Sequence, residues 1–152
     1  MRASLGFIFF MLFIAGLAFV NLQGIKEQAD NAVTSAQDII DTAWRPTNIG
    51  EMRLQEDSNM IVQFKTGASL VGHSGCNRFF GDYEISAGVL SIGLLGTTRM
   101  ACPEPVNSFE ISFMEALQSA RTLSRTETRL VMRDDKGVIV ASFVTTETID
   151  AR

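Results

Sequence analysis

The sequence is poor in the side chains that most often carry catalysis and metal binding. Among 152 residues it has a single histidine, His73, and two cysteines, Cys76 and Cys102. A thiol enzyme needs a thiolate, a base and an orienting group, and nothing in the sequence places a third group beside these residues. Zinc held by the same three residues would lack a fourth protein ligand. The sequence therefore predicts no metal site, no cofactor and no catalytic residue.

Positively charged residues are neither abundant nor clustered along the chain. Thirteen Lys and Arg residues stand against seventeen Asp and Glu residues, which gives a net charge of −4. No run of lysine or arginine could follow a phosphate backbone, so nucleic acid is not an expected partner. With 46% hydrophobic and 20% charged positions, the length suits one domain with one core.

The longest apolar run lies near the N-terminus. Arg2 precedes residues 5–20, which carry no charged or strongly polar side chain. This length falls between a signal peptide and the roughly 20 apolar residues of a membrane span. We therefore expect residues 1–25 to be a signal segment or, preferably, an uncleaved membrane anchor. Arg2 would keep the N-terminus in the cytoplasm, which places the rest of the chain across the membrane.

Residues 26–43 have a different composition. They are rich in charged and amide side chains, and their apolar residues, mostly alanine, recur at helical spacing. Such a helix would bury little area. The segment is predicted to be a polar helical stalk that lifts the domain off the bilayer.

Short segments with an apolar period of two begin at residue 44. Residues 44–49 are predicted to form an edge strand, because proline at Pro46 is tolerated only there, and Trp44 is expected to fill the core. Residues 60–64 are predicted to form a half-buried strand. The short gaps between segments favour antiparallel pairing. The other predicted strands are 69–74, 77–85, 89–95, 122–128, 129–133 and 138–144.

One helix is predicted after Pro105. Asn107 is expected to cap its first turn, with Glu110 reaching back three residues later in a capping box. The fold class is therefore mainly β (α+β): a strongly curved antiparallel sheet or small half barrel of seven or eight strands with one packed helix, preceded by a membrane helix. The apolar stripe that would pack on the sheet comprises Phe109, Phe113, Ala116, Leu117 and Ala120.

Two short motifs and a helical pattern carry a family resemblance. Together they resemble the META domain, the family of heat-shock protein HslJ. The domain would occupy residues 44–147 and leave a C-terminal tail at 148–152. The residues that carry the resemblance are Gly75, Cys76, Asn77, Arg78, Phe79, Gly81 and Tyr83, then Thr98, Met100, Ala101 and Cys102, then Glu110, Phe113 and Leu117.

The resemblance implies a small lipocalin-like half barrel on a membrane-attached or exported bacterial protein linked to stress and antibiotic tolerance. It implies no enzymatic activity and supplies no catalytic residues. The expected function is thus a non-enzymatic domain, facing or exported to the periplasm, that binds or stabilises an unidentified envelope protein. The alternative is a carrier of a small apolar ligand inside the barrel, lined by Phe64, Phe79, Leu90 and Phe113.

The two cysteines have two possible roles. An extracytoplasmic location and an even count favour a disulfide between Cys76 and Cys102, and the alternative is a pair of buried thiols. Closing a loop of about 26 residues would stabilise the fold by roughly 3 kcal/mol. For His73 we expect a strand position facing solvent.

The remaining motif residues have mainly structural interpretations. Gly75 and Asn77 suit a tight bend. Gly81 within a strand indicates a bulge or a close approach by the helix. Tyr83 should bury its ring and keep its hydroxyl on a partner. On the other face of this strand, Arg78 could pair with a carboxylate or cap carbonyls at the bend. It could equally belong to a partner surface, which would comprise Arg78, Phe80 and Asp82.

Overall fold

The computed structural model describes residues 31–33 and 35–147. The predicted membrane segment 1–25, the first part of the predicted stalk and the tail 148–152 lie outside the described residues. Within them, no helix is long and apolar enough to cross a membrane.

The described chain forms one sheet and one α-helix, α1 (Val106–Ser119). Of its eleven strands, eight have four or more residues, which confirms the predicted mainly β fold. Short 3-10 helices cover Ala36–Asp38 and Thr66–Ala68. The strands are β1 (Asn31–Ala32), β2 (Ala43–Ile49), β3 (Met52–Arg53), β4 (Met60–Lys65), β5 (Ser69–Ser74), β6 (Arg78–Ser86), β7 (Val89–Ile92), β8 (Gly96–Thr97), β9 (Thr122–Arg125), β10 (Arg129–Arg133) and β11 (Ile139–Thr146).

The sheet is nearly closed into a barrel. Its strands follow the order β1-β9-β10-β11-β2-β4-β5-β6-β7, with β3 added to β2 and β8 added to β6, and all of these pairs are antiparallel. At the seam, the Leu90 N–H of β7 donates a 2.7 Å hydrogen bond to the Arg121 carbonyl, just before β9. This contact brings β7, at one end of the strand path, beside the start of β9, the second strand from the other end, which leaves little exposed edge.

Strand β2 is not the edge strand that Pro46 predicted. It lies between β11 and β4, and Pro46 itself pairs with Phe143 of β11. On its other side, β2 pairs with β4 only through Ala43 and Trp44, and with β3 only through Asn48 and Ile49. Pro46 belongs to neither of these two short ladders, and the register of β2 against β11 shifts directly beside it. Proline is tolerated at such an irregularity because fewer ladder hydrogen bonds need its missing N–H.

Residues 31–33 and 35–43 do not form the predicted polar helical stalk. Asn31–Ala32 pairs with β9, Ala36–Asp38 is a single 3-10 turn, and the Val33 N–H donates to the Leu123 carbonyl at 2.9 Å. Val33 and Ile39 are 2% and 0% exposed. Burying each of these side chains is worth about 1.5–3 kcal/mol, more than a short alanine-rich helix gains in water. This segment therefore belongs to the packed domain.

Aromatic side chains fill the interior of the barrel. Phe79 and Phe113 meet edge to face at 5.8 Å, and Phe64 meets Tyr83 at 4.9 Å. Trp44 is fully buried beside them, as expected. Strand β4 is buried on both faces rather than half-buried, since Ile61 and Gln63 are covered as well as its inward residues. The four side chains expected to line a ligand cavity instead pack into this core: Phe64, Phe79, Leu90 and Phe113.

Helix α1 covers one part of this core through the predicted stripe. Phe113, Ala116 and Leu117 are buried, Ala120 directly after the helix is buried too, and Phe109 packs at the border. The predicted capping box is wrong, however. The Glu104 carboxylate accepts hydrogen bonds from the Ser108 N–H and hydroxyl and from the Asn107 side chain. Glu104 therefore caps the helix from before its first turn, and Glu110 is left for another role.

Candidate functional site

The motif residues meet at the bend between β5 and β6. Gly75 has φ +103°, a conformation that side chains with a Cβ rarely adopt, so glycine is required there. The Ser74 N–H donates to the Asn77 carbonyl at 2.8 Å and closes the bend. The Gly75 N–H donates to Nδ1 of His73 at 3.2 Å. One ring nitrogen of His73 is therefore engaged in shaping the bend.

Asn77 connects the bend to the segment of residues 98–102. Its buried side chain accepts hydrogen bonds at Oδ1 from the Thr98 hydroxyl at 2.9 Å and the Met100 N–H at 2.8 Å. Its Nδ2 donates to Oε1 of Glu110 at 3.0 Å. Because both the oxygen and the nitrogen of the Asn77 amide are bonded, this side chain fixes the bend, the segment 98–102 and α1 relative to one another.

Glu110 is the anchor of α1 on the bend. Its Oε2 accepts hydrogen bonds from the Ser74 hydroxyl at 2.8 Å and from the Asn77 N–H at 3.2 Å. Charge-assisted bonds of this kind are stronger than neutral ones. Of the residues in this network, only Ser74 was missed by the sequence analysis; its signal was a small polar residue at the end of a strand, directly before the motif.

A disulfide joins Cys76 to Cys102, which confirms the pairing favoured from the sequence. The two Cα atoms are 6.2 Å apart, and the bridge closes the 26-residue separation between the bend and the segment before α1. The bridge and Asn77 therefore hold the same two segments, one covalently and one through hydrogen bonds.

Gly81 and Tyr83 lie on the inward face of β6. The Tyr83 hydroxyl donates to the Lys65 carbonyl at 3.2 Å, so the buried ring keeps a partner, as predicted. Burial, followed by the negative charge of Asp41, raises the pKa of this hydroxyl above its ordinary value of 10.0. A Cβ on Gly81 would lie 2.7 Å from Cδ2 of Leu95. The close approach at Gly81 is thus made by the loop after β7 and not by the helix.

The opposite face of β6 is exposed. Arg78, Phe80 and Asp82 all project outward, and Phe80 is 63% exposed. The Phe80 ring lies against Gly96 of β8, whose Cβ, if it existed, would be 2.7 Å from the ring. The three residues of the predicted partner surface thus lie on one strand face, which we call the β6 outer face. The strand predicted over 89–95 ends earlier, at Ile92, and Leu94 beyond it is 92% exposed.

A groove of about 410 Å³ opens on the other side of the bend. Its walls are the loop after β3, the bend itself and the first turn of α1. The apolar part of this lining comprises Leu54, Met60, Val106 and Phe109.

Comparisons with known proteins agree with this architecture. The chain is similar to a protein from Burkholderia xenovorans solved by NMR, with 25% identity and a TM-score of 0.62 over 78% of this chain and 92% of that one. A second NMR structure has 21% identity and a TM-score of 0.59 over 74% and 95% of the two chains. A crystal structure of a DUF4847 family protein from Bacteroides vulgatus has 12% identity and a TM-score of 0.54 over 74% and 98%. No curated protein matches the chain.

The family comparison covers most of the described residues. The model of the META domain matches residues 37–147, which include the bend, the disulfide and α1. The chain therefore belongs to the META domain family.

Proposed function

We propose that this chain is a non-enzymatic bacterial envelope protein that supports stress or antibiotic tolerance by binding an envelope protein through the β6 outer face. The observation that carries this proposal is the difference between the inner and outer faces of β6. Inward and at the bend, the polar groups of the motif bond to one another, whereas Arg78, Phe80 and Asp82 project outward from the same strand.

The reactive side chains of the motif are already bonded to other groups of the same chain, which supports a role in partner binding over one in catalysis. Cys76 and Cys102 are joined, so neither offers a thiolate. The Glu110 carboxylate already accepts from Ser74 and Asn77. A general base must reach a substrate proton, and this carboxylate is committed to holding the helix.

The composition of the β6 outer face suits a protein partner. Exposed aromatic and arginine side chains are enriched at protein interfaces, where they contribute more binding energy than other residues. Asp82 places a negative charge on the same face, two residues from Phe80. A surface with both charges and an aromatic centre favours a complementary protein surface over an anionic bilayer.

The N-terminal segment would hold the domain at the membrane. In this proposal residues 1–25 anchor the chain, or direct its export to the periplasm if they are removed. N-terminal sequencing of protein from membranes separates the two cases. A pull-down from membranes after mild cross-linking tests the binding role itself, because a specific partner must be recovered with the chain.

A carrier of a small apolar ligand is a second candidate, and the groove beside the bend favours it. A volume of about 410 Å³ falls within the range of small-molecule sites. The ligand would contact Leu54, Val106 and Phe109, outside the filled barrel. Native mass spectrometry of the purified chain tests this candidate: a co-purified small molecule supports it, and repeated preparations without one count against it.

A further inference from the structure

Three arginines that are far apart in sequence surround one cleft on the outside of the sheet. Arg45 of β2 and Arg129 of β10 both pair with Val144 of β11, which lies between them. Directly paired residues of antiparallel strands project from the same face. Arg53 of β3 pairs with Asn48 of β2 nearby. All five residues line a cleft of about 370 Å³.

The positive charge in this cleft has no internal partner. Within residues 31–33 and 35–147, the side chains of Arg45, Arg53 and Arg129 make no hydrogen bond or ion pair. Glu56 is the single acidic residue among the described residues that line the cleft. The lining therefore holds three positive charges and one negative charge, although the whole chain has a net charge of −4. Grouping like charges without a counterion is unfavourable, and a bound anion would relieve this repulsion.

The donors present identify the class of anion. A guanidinium group matches the oxygen pairs of phosphate and carboxylate, and several of them together suit an anion with more than one negative charge. The Asn48 amide adds donors on the same face. The Thr47 hydroxyl does not, because it already donates to the Ser142 carbonyl at 3.2 Å. We propose that Arg45, Arg53 and Arg129 form a binding site for a phosphate-bearing anion.

This site is separate from the β6 outer face, and its existence does not depend on the proposed partner. The phosphate could belong to a soluble molecule or to a lipid headgroup, and both sources present the same oxygens to the arginines. The sources differ in what else must be present, so they can be distinguished by titration.

The test uses the full chain in nonionic detergent and isothermal titration calorimetry. One arm titrates inorganic pyrophosphate, and the other titrates short-chain phosphatidylglycerol with phosphatidylcholine as its neutral counterpart. We expect at least one anionic probe to bind, more weakly at higher salt, and about tenfold or more weakly to the triple variant Arg45→Gln, Arg53→Gln, Arg129→Gln. Lys136→Gln, in the turn at the far end of the β10–β11 hairpin, removes one charge elsewhere and should bind normally.

A second measurement needs no variant and remains decisive if the triple variant does not fold. Phenylglyoxal modifies accessible arginines, and mass spectrometry locates each modification. The probe that binds should protect Arg45, Arg53 and Arg129 from modification and leave Arg99 reactive. Binding of pyrophosphate alone assigns a soluble ligand, and binding of phosphatidylglycerol alone assigns a headgroup. Absence of binding by both probes, equal binding by the triple variant, or unprotected arginines would overturn the proposal.

Discussion

Asn77 donates hydrogen bonds to the Glu110 carboxylate from both its backbone N–H and its side-chain amide. The Asn77 N–H donates to Oε2 of Glu110 at 3.2 Å, and Nδ2 donates to Oε1 at 3.0 Å. One residue shapes the bend after β5, and the other lies in the second turn of α1. The pair therefore couples the disulfide-bonded bend to the helix that covers the core.

Removing the Glu110 carboxylate should destabilise the fold strongly. In Glu110→Ala the Asn77 N–H loses its acceptor, and the Asn77 amide keeps only its longer contacts to the Met100 carbonyl and to Sγ of Cys102. The Ser74 hydroxyl keeps only the Asn77 carbonyl. We expect the free energy of unfolding to fall by about 2–4 kcal/mol. Urea unfolding of the purified chain measures this loss. Glu115→Ala on the exposed side of the same helix is the matched control and should change stability by less than about 0.5 kcal/mol. Equal effects of the two substitutions would contradict the role of Glu110.

Gly72 in β5 should tolerate no side chain. A Cβ there would lie 2.2 Å from the Ile61 carbonyl oxygen and 2.3 Å from Cζ of Phe79. Because one of these atoms is backbone of a paired strand, Gly72→Ala should cost at least about 2 kcal/mol. In Gly93→Ala the nearest atom is 3.6 Å away, at the Asp82 carbonyl, so this control should unfold close to the parent. The same urea series compares them, and an unaffected Gly72→Ala would be inconsistent with this packing.

The disulfide should contribute about 3 kcal/mol by restricting the unfolded chain between Cys76 and Cys102. Reductant should lower the unfolding midpoint of the parent chain and leave that of the Cys76→Ala, Cys102→Ala double variant unchanged. Intact mass after alkylation provides the direct check. Recovery of two alkylated cysteines from unreduced protein would refute the bridge.

Tyr83 should make stability depend on pH above 10. Its hydroxyl has a pKa above 10.0 in the folded state, raised chiefly by burial. The unfolded chain therefore ionises first, so the contribution is fully present below pH 10.0 and is lost as the pH rises toward the folded pKa. Tyr83 is the only tyrosine, so phenolate absorbance reports it directly. Tyr83→Phe should remove this alkaline dependence; an ordinary pKa measured in the folded parent would contradict the effect of burial.

The sequence predicted local structure better than the partners of individual side chains. Alternation along β6 placed Phe79 and Tyr83 inside and Phe80 outside, because a period of two follows directly from strand geometry. Spacing alone assigned Glu110 to a capping box, since a pattern three residues apart cannot reveal competing hydrogen-bond donors elsewhere in the chain. Those donors are Ser74 and Asn77, which reach the Glu110 carboxylate because the folded barrel places the bend beside the helix.

Other features depended on contacts distant in sequence. The segment 35–43 carries helical spacing, yet the burial of Ile39 in the domain determines its conformation. Likewise, the sequence has no arginine cluster, and three strands assemble one from Arg45, Arg53 and Arg129. Contacts between strands that are distant in sequence produce no local pattern from which they could be predicted.

Cross-linking of the β6 outer face to its partner tests the proposed function most directly. The parent chain, Arg78→Ala, Phe80→Ser and the control Val138→Ser, which alters an exposed apolar residue before β11, are cross-linked in membranes and purified, and each melting temperature is measured. The proposal predicts one specific envelope protein with the parent and the control, and its loss from Arg78→Ala and Phe80→Ser at unchanged melting temperature. Recovery of the same protein in equal amounts with all four chains would contradict binding through this face.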